Sequence, residues 1–455
     1  MEPDLRMSSP APTEEAPRRA SELTRLEALL RDARPGLAIC SISGPGGVGK
    51  SYLLTRALEL ARPEAHGWLQ LRVDGSNASL RTDFFGVLEQ LFPRGLSQGD
   101  ATFDHFSRLR AVAQAHRDLS DDVVEELSQT GASEATRAAV ATALKTARLL
   151  NRAIPPVSRA DSDAMTEATF EAVQKLKAFS ARRGLVRRAL GLSLLDRVRR
   201  ELFAVTAESI VIDLQAALKG LKGRRRLLNF ALGRLDGVDK LLLVIDDYEA
   251  LAPVLEEFLI GSLVPALAAS GLTCVMLVLG RDELEVTHSG WAQQCRRWLT
   301  EPLRLQPFDE PTARALLREA GVPEARAQEL YAATQGYPFL LSLVIEEAGA
   351  PGGGSALFLR RFFERTTRWM TPTEADWFVR VCYLERVNHD TLARLFPPEQ
   401  VAAVQQWFEK EPSIRDPQAA DFVVRPLIRE KVLRYQAVRS PSQHAELSAR
   451  AAAAP

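Results

Sequence analysis

Residues 44–51 read Gly-Pro-Gly-Gly-Val-Gly-Lys-Ser, directly after the apolar run GLAICSIS and directly before a stretch with helical spacing. Four glycines in six residues are costly in conformational entropy, and they suit a turn whose backbone must adopt positive φ and stay bare of side chains. Such a turn gathers main-chain N–H groups around an anion, and a helix starting at its exit adds a partial positive charge. With strand before and helix after, the pattern G-x-x-x-x-G-K-[ST] is that of a loop cradling nucleotide phosphates. The nucleotide-binding set is therefore Gly44, Pro45, Gly46, Gly47, Val48, Gly49, Lys50 and Ser51. Lys50 reaches the β- and γ-phosphates and the Ser51 hydroxyl ligates Mg²⁺, so the expected ligands are ATP or ADP with magnesium. A glycine turn that merely connects is the competing reading, and the strand and helix on its two sides weigh against it.

A phosphate loop needs an acid at the end of a neighbouring buried strand. The run KLLLVIDDYEAL supplies one. Asp246 is placed to hold the water shell of the metal, and Asp247 stands where a carboxylate polarises the attacking water. Asp247 is shorter than a glutamate, and Glu249 is near enough to compete for that role, so hydrolysis is expected to be slow. An aspartate pair at a strand end also serves as a turn or helix cap. Arg281 follows the next strand, VMLVLG, at the carboxyl edge where ligands of open α/β sheets gather. A cation there senses the γ-phosphate, or forms a surface ion pair with an acid such as Asp282.

Strands alternating with helices on both sides of these motifs predict an α/β fold with a parallel sheet. The chain has 455 residues, enough for several cores. The expected organisation is a disordered lead at 1–18 and the first part of the phosphate-loop core at 19–94. A helical insertion at 95–233, with only the short run SIVI resembling a strand, precedes the second part of the core at 234–306. A helical lid at 307–349, a last unit at 356–439 and a disordered tail at 440–455 follow, with the joint APGGGS at 350–355. Net charge is zero, which argues against a chain whose main task is to coat nucleic acid. Residues 175–226 nevertheless carry fourteen basic and four acidic side chains, about +10. That face either docks on the acidic remainder or meets nucleic acid, an anionic membrane surface or a partner. Phe258–Gly280 is uncharged and of spanning length, but Pro265, Ser270, Gly271 and Thr273 divide it into a buried helix and a buried strand, and no transmembrane helix is expected. Four scattered cysteines without paired spacing point to a reducing compartment, the cytoplasm.

Taken in order, GPGGVGKS, LLLVIDDYE, the strand leading to GRDEL, and GYP at 336–338 resemble the nucleotide site of the signal-transduction ATPases with numerous domains, the STAND class of the AAA+ superfamily. RASELTRLEALL is similar to that family's opening motif, with Arg19 and Glu22 in register and no preceding glycine. The resemblance spans Arg19 to Tyr435 outside the insertion. It implies a nucleotide contact for Arg19, and another for Pro338 from the lid. It also implies a winged helix at 356–439 with SIRDPQAADFVV as its wing, and it places Arg425 where the family keeps a histidine on the β-phosphate. The implied behaviour is a two-state device, closed with ADP and open and self-associating with ATP, its input or output supplied by the insertion or by a partner protein. The alternative is an AAA+ ATPase that loads or remodels protein on DNA, of the origin-recognition or transposition-helper type, gripping DNA through the winged helix and residues 175–226.

Lys50→Ala is expected to abolish ATP binding with little loss of stability, because the lysine serves the ligand and not the core. Calorimetric titration with MgATP checks this, and retained affinity would count against the site.

Overall fold

The computed structural model describes residues 19–61, 67–93, 95–98, 101–104, 106–113, 192–218, 238–349, 355–368 and 370–453. The lead at 1–18, most of the insertion and eleven of the fourteen basic residues of 175–226 lie outside the described residues, as do residues 350–354 of the joint. In chain order the elements that position the site begin with α1 (Ala20–Arg31), β1 (Gly36–Ser43), α2 (Lys50–Leu60), β2 (Trp68–Asp74) and α3 (Phe84–Leu91). A hairpin follows, β3 (Gly95–Gln98) and β4 (Ala101–Asp104), then α4 (Leu192–Leu218), β5 (Lys240–Asp246), α5 (Tyr248–Phe258), β6 (Thr273–Gly280) and β7 (Leu303–Arg304). The lid is α6 (Glu310–Glu319), α7 (Glu324–Thr334) and α8 (Pro338–Gly349). The last region holds α9 (Ala356–Thr366), α10 (Pro372–Val381), α11 (His389–Leu392), α12 (Pro398–Glu409), α13 (Pro426–Arg439) and α14 (Pro441–Ala452). The chain divides into two compact units, one of Glu27–Ile42 and Ala57–Leu303, the other of Met1–Leu26, Ser43–Arg56 and Arg304–Pro455.

The α/β expectation holds: five strands form a parallel sheet in the order β2–β5–β6–β1–β7, so one strand separates the strand before the glycine loop from the strand that ends in Asp246. A sheet covered on both faces needs strands that are apolar throughout. Leu241 to Ile245 meet that need and are all fully buried, as are nearly all of Cys274 to Leu279. Asp246 extends the same strand, so its carboxylate is carried to the sheet's carboxyl edge by five residues with no choice but to be inside.

The uncharged run resolves into helix and strand, as its breakers predict. Helix α5 continues through a π-helical turn at Leu259–Leu263 into Val264–Ala269, and β6 begins at Thr273. Among the described residues, Tyr248–Ala269 is long and apolar enough to cross a membrane. Its Leu251, Leu255, Phe258, Leu263 and Leu267 are fully buried in the sheet-side core, which accounts for the apolarity.

Two expectations for the insertion are corrected. Gly95–Gln98 and Ala101–Asp104 pair as the antiparallel strands β3 and β4, where helix was expected. SIVI, Ser209–Ile212, is helical within α4, where Phe203, Ala207, Ile210, Leu214 and Ala217 make one buried stripe. The helical period of the whole segment overrides four β-favouring residues. Phe203 packs with Phe84 and Phe258 at centroid separations of 5.1 and 5.5 Å, and buried Asp213 accepts from Arg108 at 2.8 Å.

In the other unit, α6 to α8 close on Ala313, Leu317, Ala327, Leu341 and Val344. The segment after the joint runs through four helices, α9 to α12, then a narrow hairpin closed by an antiparallel bridge between Arg415 and Val424, then α13 and α14. Helix α10 starts on a capping box formed by Thr371 and Glu374. The tail is corrected too: in place of disorder at 440–455 the chain forms α14. Pro441 pre-sets its first turn, alanines favour its interior, and Leu447 seats it in the core while Tyr383 Oη meets His444 Nδ1 at 3.0 Å. Leu447→Ala is expected to cost about 2–4 kcal/mol of stability. A thermal melt checks it, and an unchanged midpoint would mean that α14 does not dock.

Candidate nucleotide site

Gly44, Gly47 and Gly49 adopt φ of 150°, 73° and 105°. At two of these positions space also excludes a side chain: a Cβ on Gly44 would stand 2.6 Å from the Leu305 carbonyl oxygen, and one on Gly47 2.3 Å from Cδ1 of Phe339. Leu305 is held there because its N–H donates to Ser43 at 2.8 Å. Val48 is fully buried and anchors the loop from within. Helix α2 starts at Lys50, so its first N–H groups are not consumed by helix bonds and open onto the loop. Lys50 Nζ donates to the carbonyls of Gly44 at 2.5 Å and Pro45 at 3.1 Å, and Ser51 is exposed. The bare loop, the lysine on its rim, the exposed hydroxyl and the helix start together fit a polyphosphate with Mg²⁺, to which Ser51 would contribute one oxygen.

Three further residues of the same unit stand at this loop. Arg19 Nη2 donates to Val48 O at 2.8 Å and to Gln306 O at 2.5 Å, while Nη1 pairs with Glu22 at 3.0 Å. Its guanidinium lies 4.7 Å over the Phe308 ring, and burial pulls it below the usual arginine range. The Pro338 ring is 4.0 Å from where a Cβ on Gly49 would be, and Phe339 N–H donates to Gly47 O at 3.2 Å. The sequence-predicted Arg19 and Pro338 thus meet the loop, Phe339 joins them, and Phe308 backs Arg19. Phe339 was legible only as the neighbour of GYP, and Phe308 carried no signal.

Arg425 is placed elsewhere. It is buried, it donates to Ser413 O and Pro412 O at 3.1 Å each, and its guanidinium lies 4.6 Å over the ring of Tyr337, the residue before Pro338. Burial pushes the Tyr337 hydroxyl up, with Arg425 opposing the shift.

The acidic residues are in the other unit. Asp246 is 6% exposed; its Oδ2 accepts from Arg72 Nη2 at 2.7 Å and its Oδ1 from the N–H of Asp247 at 3.1 Å. Burial, with Asp247 and Asp74 nearby, pushes the Asp246 carboxyl up, and Arg72 pulls it back. A carboxylate that already holds a guanidinium is a site for positive charge, which fits a magnesium role. Asp247 sits at φ 50°, ψ 49°, a left-handed turn between β5 and α5. Glu249 and Arg281 hold each other: Arg281 Nε forms an ion pair with Oε1, and its main-chain N–H donates to Oε2, both at 3.3 Å. The acid that pairs with Arg281 is Glu249, the residue also considered for the attacking water. Arg72 was missed, although alternation in WLQLRVD sets Arg72 and Asp74 on the face opposite buried Leu69, Leu71 and Val73.

No protein-family model matches the chain, and no curated protein does. Among solved structures it is similar to the crystal structure of Cdc6p from Pyrobaculum aerophilum, at 12% identity over 93% of this chain and 96% of that one, with a TM-score of 0.37. It is also similar to the structure of Drosophila ORC bound to DNA, at 11% identity over 95% of this chain and 96% of that one, with a TM-score of 0.33.

Gly47→Ala is expected to weaken MgATP binding at least about tenfold, because the methyl group needs the space of Phe339 and a left-handed backbone that costs about 1–2 kcal/mol. Equilibrium titration checks it, and wild-type affinity would show that neither constraint bears on the ligand.

Proposed function

We propose that the chain is an AAA+-type ATPase of slow turnover in which the bound nucleotide sets the state of the lid and the C-terminal region. One observation carries this reading: the three residues Tyr337, Pro338 and Phe339 join the loop to that region. Phe339 and Pro338 lie on Gly47 and Gly49, and Tyr337 lies under the guanidinium of Arg425. Lys431 of α13 adds an ion pair to Glu347 of α8 at 2.5 Å. Whatever displaces the loop displaces α8, and α8 holds the helices behind it.

In this reading Lys50 and the loop amides bind the β- and γ-phosphates, and Ser51 and Asp246 hold Mg²⁺. When bound, the metal neutralises charge on the transferred phosphoryl group. Asp247 orients and deprotonates the attacking water. Glu249, tied to Arg281, serves as its competitor only if that pair opens, and Arg281 is the cation proposed to sense the γ-phosphate. Arg19 and Pro338 complete the nucleotide surroundings. Arg425 acts through Tyr337, or on the β-phosphate as its family position implies. The STAND form of the reading has ADP closing the lid and a winged helix on the core, and ATP opening the chain for self-association in the cytoplasm, with a partner protein as input or output. The excess of ten positive charges at 175–226 favours a second reading on the same site, a DNA-associated loader.

Freshly purified protein, denatured and analysed for released nucleotide, is expected to yield ADP near one per chain. An empty site with brisk turnover would contradict the switch. Tight duplex-DNA binding that weakens steeply with salt would select the loader.

A further inference from the structure

Consecutive peptides of the glycine loop are held by their carbonyl groups. Gly47 O accepts from the main-chain N–H of Phe339 at 3.2 Å, and Val48 O accepts from Arg19 Nη2 at 2.8 Å. In a trans peptide the carbonyl and the following N–H point in opposite directions. Fixing these two carbonyls therefore turns the N–H groups of Val48 and Gly49 to the face away from Arg19 and Phe339. The Val48 N–H makes a bond to Pro45 O of 3.4 Å, at the weak end of the range, so little of its donor strength is spent inside the loop.

The surroundings of Arg19 are built for this task. Its own φ is 64°, a left-handed conformation that an arginine adopts at a cost. Glu22 fixes Nη1, Phe308 backs the guanidinium, and Phe308 N–H in turn donates to Gly336 O at 2.9 Å, at the head of α8. Nε is buried without a hydrogen-bond partner, so the side chain gives up part of its own bonding to reach Val48 and Gln306.

We infer that Arg19 is a positioning residue: from behind the loop, without touching the ligand, it and the Phe339 amide orient the N–H groups that bind polyphosphate. This rests on the nucleotide reading of the loop and gives Arg19 a different task from the nucleotide contact that the resemblance implies. Phosphate affinity is then set partly from the lid, since α8 supplies one of the two clamps.

The test uses the full chain and two probes, ATP and inorganic tripolyphosphate, each titrated calorimetrically with Mg²⁺. Arg19→Met, which keeps the aliphatic stem and loses the donors, should weaken both probes by about tenfold or more, as expected for lost orientation of donors to a charged group. The preference for ATP over GTP should not change. Arg19→Lys, with one donor group in place of a fork, should fall between the two. Should Arg19→Met fold poorly, the lysine variant carries the test through amide exchange, which should quicken at Val48 and Gly49. Unchanged tripolyphosphate affinity in Arg19→Met, or lost base preference with that affinity intact, would overturn the inference. Full recovery with lysine would assign the effect to charge at a distance and overturn it as well. A wild-type chain that binds neither probe would instead remove the nucleotide reading itself.

Discussion

A polyphosphate can be held by a protein backbone only if several N–H groups point at one volume, and peptides left to themselves point theirs into hydrogen bonds within the chain. The loop before Lys50 meets that constraint by having no side chains at Gly44, Gly47 and Gly49, by burying Val48, and by engaging its carbonyls from outside. Arg19 and the head of α8 supply the two clamps. The rest of the unit follows from their supports: Phe308 braces Arg19 and is bonded to Gly336, and Tyr337 stands between the loop segment and buried Arg425.

A second constraint governs the sheet. Carrying a carboxylate to the ligand edge requires a strand buried enough to be rigid, and rigidity comes with loss of solvation for the carboxylate itself. Asp246 is pushed toward its neutral form by burial and by Asp247, and Arg72 offsets this at 2.7 Å. A buried charge with a partner on the next strand is tolerable where an isolated one is not. Glu249 and Arg281 repeat the arrangement at the sheet's rim, with longer bonds and more exposure.

Much of this was legible in the sequence because the strongest constraints are local. The glycine loop, the apolar run ending in Asp246 and the breakers within Phe258–Gly280 each declare themselves within a dozen residues, and each appears as expected. What was not legible depends on pairing across the chain. Nothing near Arg72 says that its strand lies beside β5, and nothing near Phe308 says that an arginine almost three hundred residues earlier will rest on it. SIVI was misjudged because four residues were weighed without the helical period around them. The tail was misjudged because an alanine-rich end looks frayed until Leu447 finds a core.

In the proposed reading the N–H groups of residues 44–51 converge on a polyphosphate. Hydrogen exchange of those amides, followed with and without MgATP, tests it most directly. Exchange is expected to slow strongly at Gly46 to Ser51 on addition of nucleotide, with the effect spreading to the head of α8. Exchange that is identical with and without saturating MgATP would contradict it.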